Sequence, residues 1–203
     1  MVPMARTATA AKADPKEELI AAAHEILAGQ GAAAATVRAI TARAGVNMAA
    51  VNYHFGSRDG LFVAICGRRM QPANQEILKN LQALDERDAP PDVAEIFQPL
   101  VDTAFRIWVN DDVLRALRSL LFTSPETADR LNVTAMSEVY DRMRGALMRA
   151  CPHLNAQQIR QRFAFSIGAI MNQVYSRDAH LQGIYSDNSP DELIDFIAAG
   201  FRG

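Results

Sequence analysis

The sequence predicts an all-α protein of about nine helices, with a cluster of short helices at the N-terminus and a larger helical bundle behind it. Three observations lead there. Ser, Thr, Asn and Asp recur just before apolar stretches, often with Pro at the first helical position and Glu or Gln at the third, the chemistry that satisfies the free N–H groups of a helix start. Apolar residues then return at spacings of three and four. No segment of alternating β-branched residues competes with this pattern.

Asp14-Pro15-Lys16-Glu17 opens the first helix, its apolar stripe is Leu19, Ile20, Ala23 and Leu27, and Gly29 and Gly31 end it. Thr36 caps a second short helix with Val37, Ile40 and Ala44 inward, stopped by Gly45. The third runs from about residue 47 to 54, Gly56 closes it, and Ser57 caps a fourth that begins at Arg58 and carries Leu61, Phe62 and Ile65. Pro72 is expected to kink or break that helix before Ile77, Leu78, Leu81 and Leu84 resume the stripe. Residues 85–91 read as a charged loop with a double proline. Pro91-Asp92 with Glu95 restarts a helix through Trp108, interrupted at Pro99, and Asn110 or Asp111 caps the next, which reaches Phe122. Ser124-Pro125 begins a long helix to Ala150, closed by Pro152; Asn155 with Gln158 caps one to Ser176, and Ser189-Pro190-Asp191-Glu192 caps the last.

At 203 residues, 49% apolar and 22% charged, the chain reads as a globular protein rather than a disordered or disulfide-stapled one. Cys66 and Cys151 are far apart and show no metal-ligand spacing, so reduced thiols and a cytoplasmic setting are expected. The N-terminal residues lack an apolar core of the secretory type, and the uncharged stretch 163–176 is too short for a bilayer, so neither export nor a membrane partner is expected. Residues 1–70 hold 8 of the 21 Lys and Arg but 5 of the 23 Asp and Glu, which leaves a basic front end on an acidic body, as a chain binding a polyanion through its N-terminal part would show; a solvated charged face gives the same balance.

The segment 36–65, TVRAITARAGVNMAAVNYHFGSRDGLFVAI, places two short amphipathic helices on either side of a tight turn at Gly45-Val46. Ala42, Ala44, Ala49 and Ala50 leave small surfaces for a close crossing, and the outer face is polar. This is the local pattern of a helix-turn-helix, whose second helix can enter a DNA major groove. Thr36-Val37-Arg38, Ile40, Ala44-Gly45-Val46, the run Tyr53-His54-Phe55-Gly56-Ser57-Arg58, and Leu61-Phe62 together resemble the N-terminal DNA-binding domain of the tetracycline-repressor-like (TetR) family of bacterial transcriptional regulators. That resemblance spans about residues 15–66. It divides the chain into a flexible basic arm at 1–14, a DNA-binding domain at 15–66, and an effector-binding and dimerisation domain at 67–203.

The resemblance implies that Thr36, Tyr53, His54 and Arg58 touch DNA phosphates, while Arg38, Asn47, Met48, Ala49 and Asn52 face the groove or its rim. Family members often carry a basic residue where Met48 stands and an aromatic where Asn52 stands. Asn52 would then read adenine edges, and Met48 or Ala49 thymine methyls. Arg6, Lys12 and Lys16 could form an arm in the adjacent minor groove. Phe55 reads as core, and Arg43 as a solvated helix residue.

In the C-terminal part, Phe97, Phe105, Trp108, Phe122, Met136, Tyr140, Met143 and Met148 lie on helices that surround one interior. Composition alone favours an aromatic and methionine-filled core for any single one of them. The resemblance implies a small-molecule pocket there, and adaptable Met beside rigid aromatics suits a small apolar effector that releases a repressor from a palindromic operator. A homodimer is expected through the last two long helices, with Phe163, Ile167, Gly168, Met171 and Val174 on one and Ile194 and Ile197 on the other. No enzymatic, cofactor or metal signature is found: Gly29-Gln30-Gly31 lacks a preceding strand and a third glycine, and His24, His54, His153 and His180 are scattered. Asp111-Asp112 reads as helix-start charge. An all-α enzyme, or an adaptor with a non-functional helix-turn-helix, stands as the alternative.

Overall fold

The computed structural model of the chain describes residues 14–176 and 189–202, all of whose regular elements are helical. Arg6, Lys12 and His180 lie outside the described residues. The head is built from α1 (Pro15–Gln30), α2 (Val37–Ala44), α3 (Ala49–Phe55) and the first turns of α4 (Arg58–Asp85). The head's expected caps are formed: Asp14 accepts from the Lys16 N–H at 2.9 Å, Thr36 Oγ1 from Ala39 at 3.2 Å and Ser57 Oγ from Gly60 at 3.0 Å. The third helix starts two residues later than expected, because Asn47 Oδ1 holds the Ala49 N–H at 2.9 Å and so serves as a cap ahead of the helix. Gly45 turns the chain between α2 and α3 with φ of 65°, a conformation that a residue with a Cβ adopts only at a steric cost.

The body consists of the rest of α4, α5 (Val93–Asn110), α6 (Asp112–Thr123), α7 (Pro125–Leu131), a π segment (Asn132–Met136), α8 (Ser137–Ala150), α9 (Ala156–Ser176) and α10 (Pro190–Gly200). Helices α7 and α8 continue through the π segment without a break, so the described helices follow the nine expected paths. Two expectations fail. Pro72 does not interrupt α4, nor does Pro99 interrupt α5. The missing N–H at Pro72 falls on an exposed face, while Met70, Ala73, Ile77 and Leu81 carry one buried stripe across it. Burial of such side chains, at about 1.5–3 kcal/mol each, offsets the roughly 3 kcal/mol that an interior proline costs.

Helix α5 lies at the centre of the body, against α4, α6, α8, α9 and α10. Phe97 packs between Phe163 of α9 and Phe201 at the end of α10, with ring centroids 6.0 and 5.8 Å away. Arg162 donates to the Gly200 and Arg202 carbonyls at 2.7 and 3.0 Å, placing a cation at the C-terminus of α10 where the helix dipole favours it. The buried apolar residues of head and body form one continuous core. The expected domain division at residue 66 therefore falls inside α4, which belongs to both halves.

Candidate nucleic-acid interface and effector cavity

The outer surface of the head carries the residues that could meet DNA. Val51 and Phe55 turn the inner face of α3 into the core, which leaves Asn47, Met48, Ala49, Asn52 and Tyr53 exposed in sequence with Thr36 and Arg38 of α2. Tyr53 is 86% exposed, and its ring meets His54 edge to face at 4.9 Å. Half-buried His54 and Arg58 flank it where α3 gives way to α4. The Arg58 guanidinium lies 5.3 Å from the Phe62 ring centre and 3.5 Å from the Asp59 carboxylate, an exposed arrangement that orients the cation without neutralising it fully. Arg43 is instead bound to Glu25 of α1 at 2.6 Å, in keeping with a helix-surface role.

Gly60 makes the α3–α4 corner possible. A Cβ there would overlap the Phe55 carbonyl oxygen and come within 3.0 Å of the Arg130 guanidinium of α7. The head is tied to the body on its opposite flank by ion pairs. Arg68 grips both carboxylate oxygens of Glu17, and its hydrogen bonds hold that carboxyl below the usual range. Arg69 bridges Asp111 at 2.6 Å and the His24 ring at 2.8 Å. Beneath them Cys66 is buried, and burial together with nearby Asp111 pushes its thiol up to about 12. These contacts fasten α1 and the start of α6 to α4.

A cavity of about 370 Å³ lies in the body. Met70, Asn74 and Ile77 of α4 form one wall, and Leu100, Ala104 and Trp108 of α5 a second. Leu131 and Met136 border the third, with Tyr140 of α8, while Ile167 and Met171 of α9 close the far side. Its polar side chains are Asn74, Thr103, Asn132 and Asn172 together with Trp108 and Tyr140, and no acidic or basic side chain lines it among the described residues. A mostly apolar cavity of this size with a few polar groups has the make-up of a small-molecule site. Among the described residues there is no cluster able to hold a metal ion and no helix long and apolar enough to cross a membrane.

Residues 19–65 match the family model described as bacterial regulatory proteins, tetR family, and residues 92–200 match that of the tetracyclin repressor-like C-terminal domain, which alone spans over half of the chain. The chain belongs to the TetR family of transcriptional regulators. It is accordingly a DNA-binding regulator, and the enzyme reading falls away. No curated protein matches the sequence. Solved structures match across nearly the whole TetR chain. The fatty acid degradation regulator FadR from Bacillus halodurans is 18% identical with a TM-score of 0.61, covering 92% of this chain and 99% of that one. The multidrug binding protein EbrR, complexed with imidazole, is 16% identical at 0.58, covering 95% and 97%. A transcriptional regulator from Rhodococcus sp. Rha1 is 20% identical at 0.51, covering 92% and 93%. At these identities the likeness is one of fold.

Within this TetR regulator the two sets of body residues singled out from sequence separate differently than expected. Trp108, Met136 and Tyr140 line the cavity; Phe97 and Met143 are fully buried core, and Phe105 is half-buried outside the cavity wall. Met148 is exposed on α8, and the side chain of Phe122 lies outside the described residues. Of the expected dimer residues, Phe163, Val174, Ile194 and Ile197 are buried within the single chain, because the apolar stripes of α9 and α10 face their own core. Ile167 and Met171 turn to the cavity, and Gly168 is exposed at its edge. The surface face of those helices instead carries Phe165 and Phe196, 73% and 68% exposed. Gly60, Asn74 and Arg130 were not singled out by sequence.

Proposed function

We propose that the chain is a homodimeric, ligand-responsive repressor that leaves a palindromic operator when a small apolar effector enters the body cavity. The observation that carries this reading is α4. A single unbroken helix presents Arg58 at the DNA-facing corner and Met70, Asn74 and Ile77 at the cavity wall, about 18 to 29 Å along the axis at 1.5 Å per residue. A ligand that binds one setting of α4 better than the other shifts the head by that difference in affinity and by no more. On the DNA side, Thr36, Tyr53, His54 and Arg58 hold phosphates while Asn52, Met48 and Ala49 read bases, with Arg38 and Asn47 at the groove rim.

Dimerisation is supported by Phe165 and Phe196, two large aromatics exposed on helices that pack against each other. Small, exposed Ala164 and Gly168 beside them permit a close helix crossing. Two heads at a fixed separation supply the base contacts that one reading helix lacks and demand an inverted repeat. Selection of genomic fragments by the purified protein tests the whole reading. Enriched fragments should share an inverted repeat, and Tyr53→Ala should abolish enrichment; enrichment that is equal for wild type and variant, or lacks any repeat, rejects it.

A further inference from the structure

Asn74 is buried, with 8% of its surface exposed, and stands in α4 between the cavity and a second hollow bordered by Gln71, Arg130 and Ala135. Its Nδ2 donates to the Ala135 carbonyl of the π segment at 2.6 Å, which settles the orientation of the amide. Its Oδ1 is buried and accepts no hydrogen bond from the protein. Buried carbonyl oxygens are nearly always paired, so one left without a partner on a residue that borders a cavity marks a place where something else donates. The π segment that receives the other end of the amide is a wide helical turn of the kind that recurs at functional sites.

The rest of the wall narrows what that donor belongs to. With no charged side chain among the described lining residues, an ammonium or a carboxylate would lose its hydration without a counter-charge. A neutral hydroxyl or amide N–H meets no such penalty. A cavity of about 370 Å³ suits a small molecule rather than a peptide or a long-chain lipid. The oxygen is covered in the structure, so a donor reaches it as the wall adjusts, and flexible Met70 and Met136 are the lining side chains suited to that.

We propose that the effector is a neutral, largely apolar molecule bearing a hydroxyl or amide N–H, and that Asn74 Oδ1 accepts from it and so determines effector choice. This rests on the reading of the cavity as the effector site. Accepting a hydrogen bond at Oδ1 polarises the amide and strengthens the Nδ2 bond to Ala135. The ligand thereby tightens the tie between α4, which carries the head, and the segment that follows Arg130.

The test uses the full chain and two isomeric probes, 1-octanol, which has a donor, and 1-methoxyheptane, which has none. Trp108, the single tryptophan, lines the cavity, so its emission reports occupancy. The wild type should favour the alcohol over the ether by about tenfold more than Asn74→Leu does, a difference of about 1.4 kcal/mol. Comparing ratios between proteins cancels the unequal hydration of the two probes. Asn74→Ala removes the same oxygen without added bulk and carries the comparison if Asn74→Leu fails to fold. Binding of both isomers with the same ratio in wild type and variant overturns the assignment of Asn74 alone. Unchanged Trp108 emission with both probes, in every protein, overturns the cavity reading and this proposal with it.

Discussion

Replacing Phe165 by Ala should weaken the dimer while leaving the fold of each chain intact. Phe165 is 73% exposed on α9, so the substitution removes little from the chain's own core. Full burial of a phenylalanine is worth about 1.5–3 kcal/mol relative to water, and the exposed fraction scales this to about 1–2 kcal/mol. A two-fold interface contains the residue twice, which gives about 3 kcal/mol, or on the order of 100-fold in the dimer dissociation constant. Sedimentation equilibrium of wild type and variant over a concentration series measures that constant directly. Met148→Ala is the control: Met148 is 58% exposed on α8, a helix that supplies neither aromatic of the proposed contact, and its loss should change nothing. Equal dissociation constants for wild type and Phe165→Ala, or a wild type that remains monomeric at micromolar concentration and still binds its operator fully, would refute the interface.

Asn52→Ala should relax preference at one base position per half-site by about 1–3 kcal/mol while nonspecific binding persists, as read from a binding-site selection profile. Gly60→Ala should lower stability by about 1–3 kcal/mol, since the Phe55 carbonyl and the new Cβ cannot share one space; thermal unfolding measures it, and an unchanged melting temperature contradicts the crowding argument. Cys66 should resist iodoacetamide at pH 8 in the native protein and react once it is unfolded, because its buried thiol is pushed up to about 12. The same shift has a definite sign: the folded thiol stays protonated where the unfolded one ionises near 9, so its contribution is intact below that pH and is lost as pH climbs toward 12.

Helix boundaries were legible where chemistry is local. Asp14, Thr36, Ser57, Asp92 and Ser189 each accept the backbone hydrogen bond that their position implies, and Asn155 accepts two. Pro72 and Pro99 misled because a local rule counts the lost hydrogen bond and the clash but not the burial on the opposite face that outweighs them. The stripes of α9 and α10 were legible, but Phe163, Val174, Ile194 and Ile197 are buried in the chain's own core, and the exposed Phe165 and Phe196 fall off that stripe. Composition marked Trp108, Met136 and Tyr140 for the cavity but could not separate them from Phe97 and Met143, which have the same chemistry and fill the core. Asn74 was hidden because a lone polar residue in a long helix reads as solvent-facing. Gly60 was hidden because its constraint comes from Phe55, across a turn whose closeness only the folded chain reveals.

The measurement that bears most directly on the account is operator affinity as a function of salt for wild type and Arg58→Ala. Each phosphate neutralised by a cation adds about 0.9 to the slope of log affinity against log salt, and a dimer presents Arg58 twice. Wild-type binding should fall steeply as salt rises, and Arg58→Ala should flatten the slope by about 2 while weakening binding to all sequences alike. Wild-type affinity that ignores salt, or a slope that Arg58→Ala leaves unchanged, would contradict the claim that this head grips DNA through the corner where α3 meets α4.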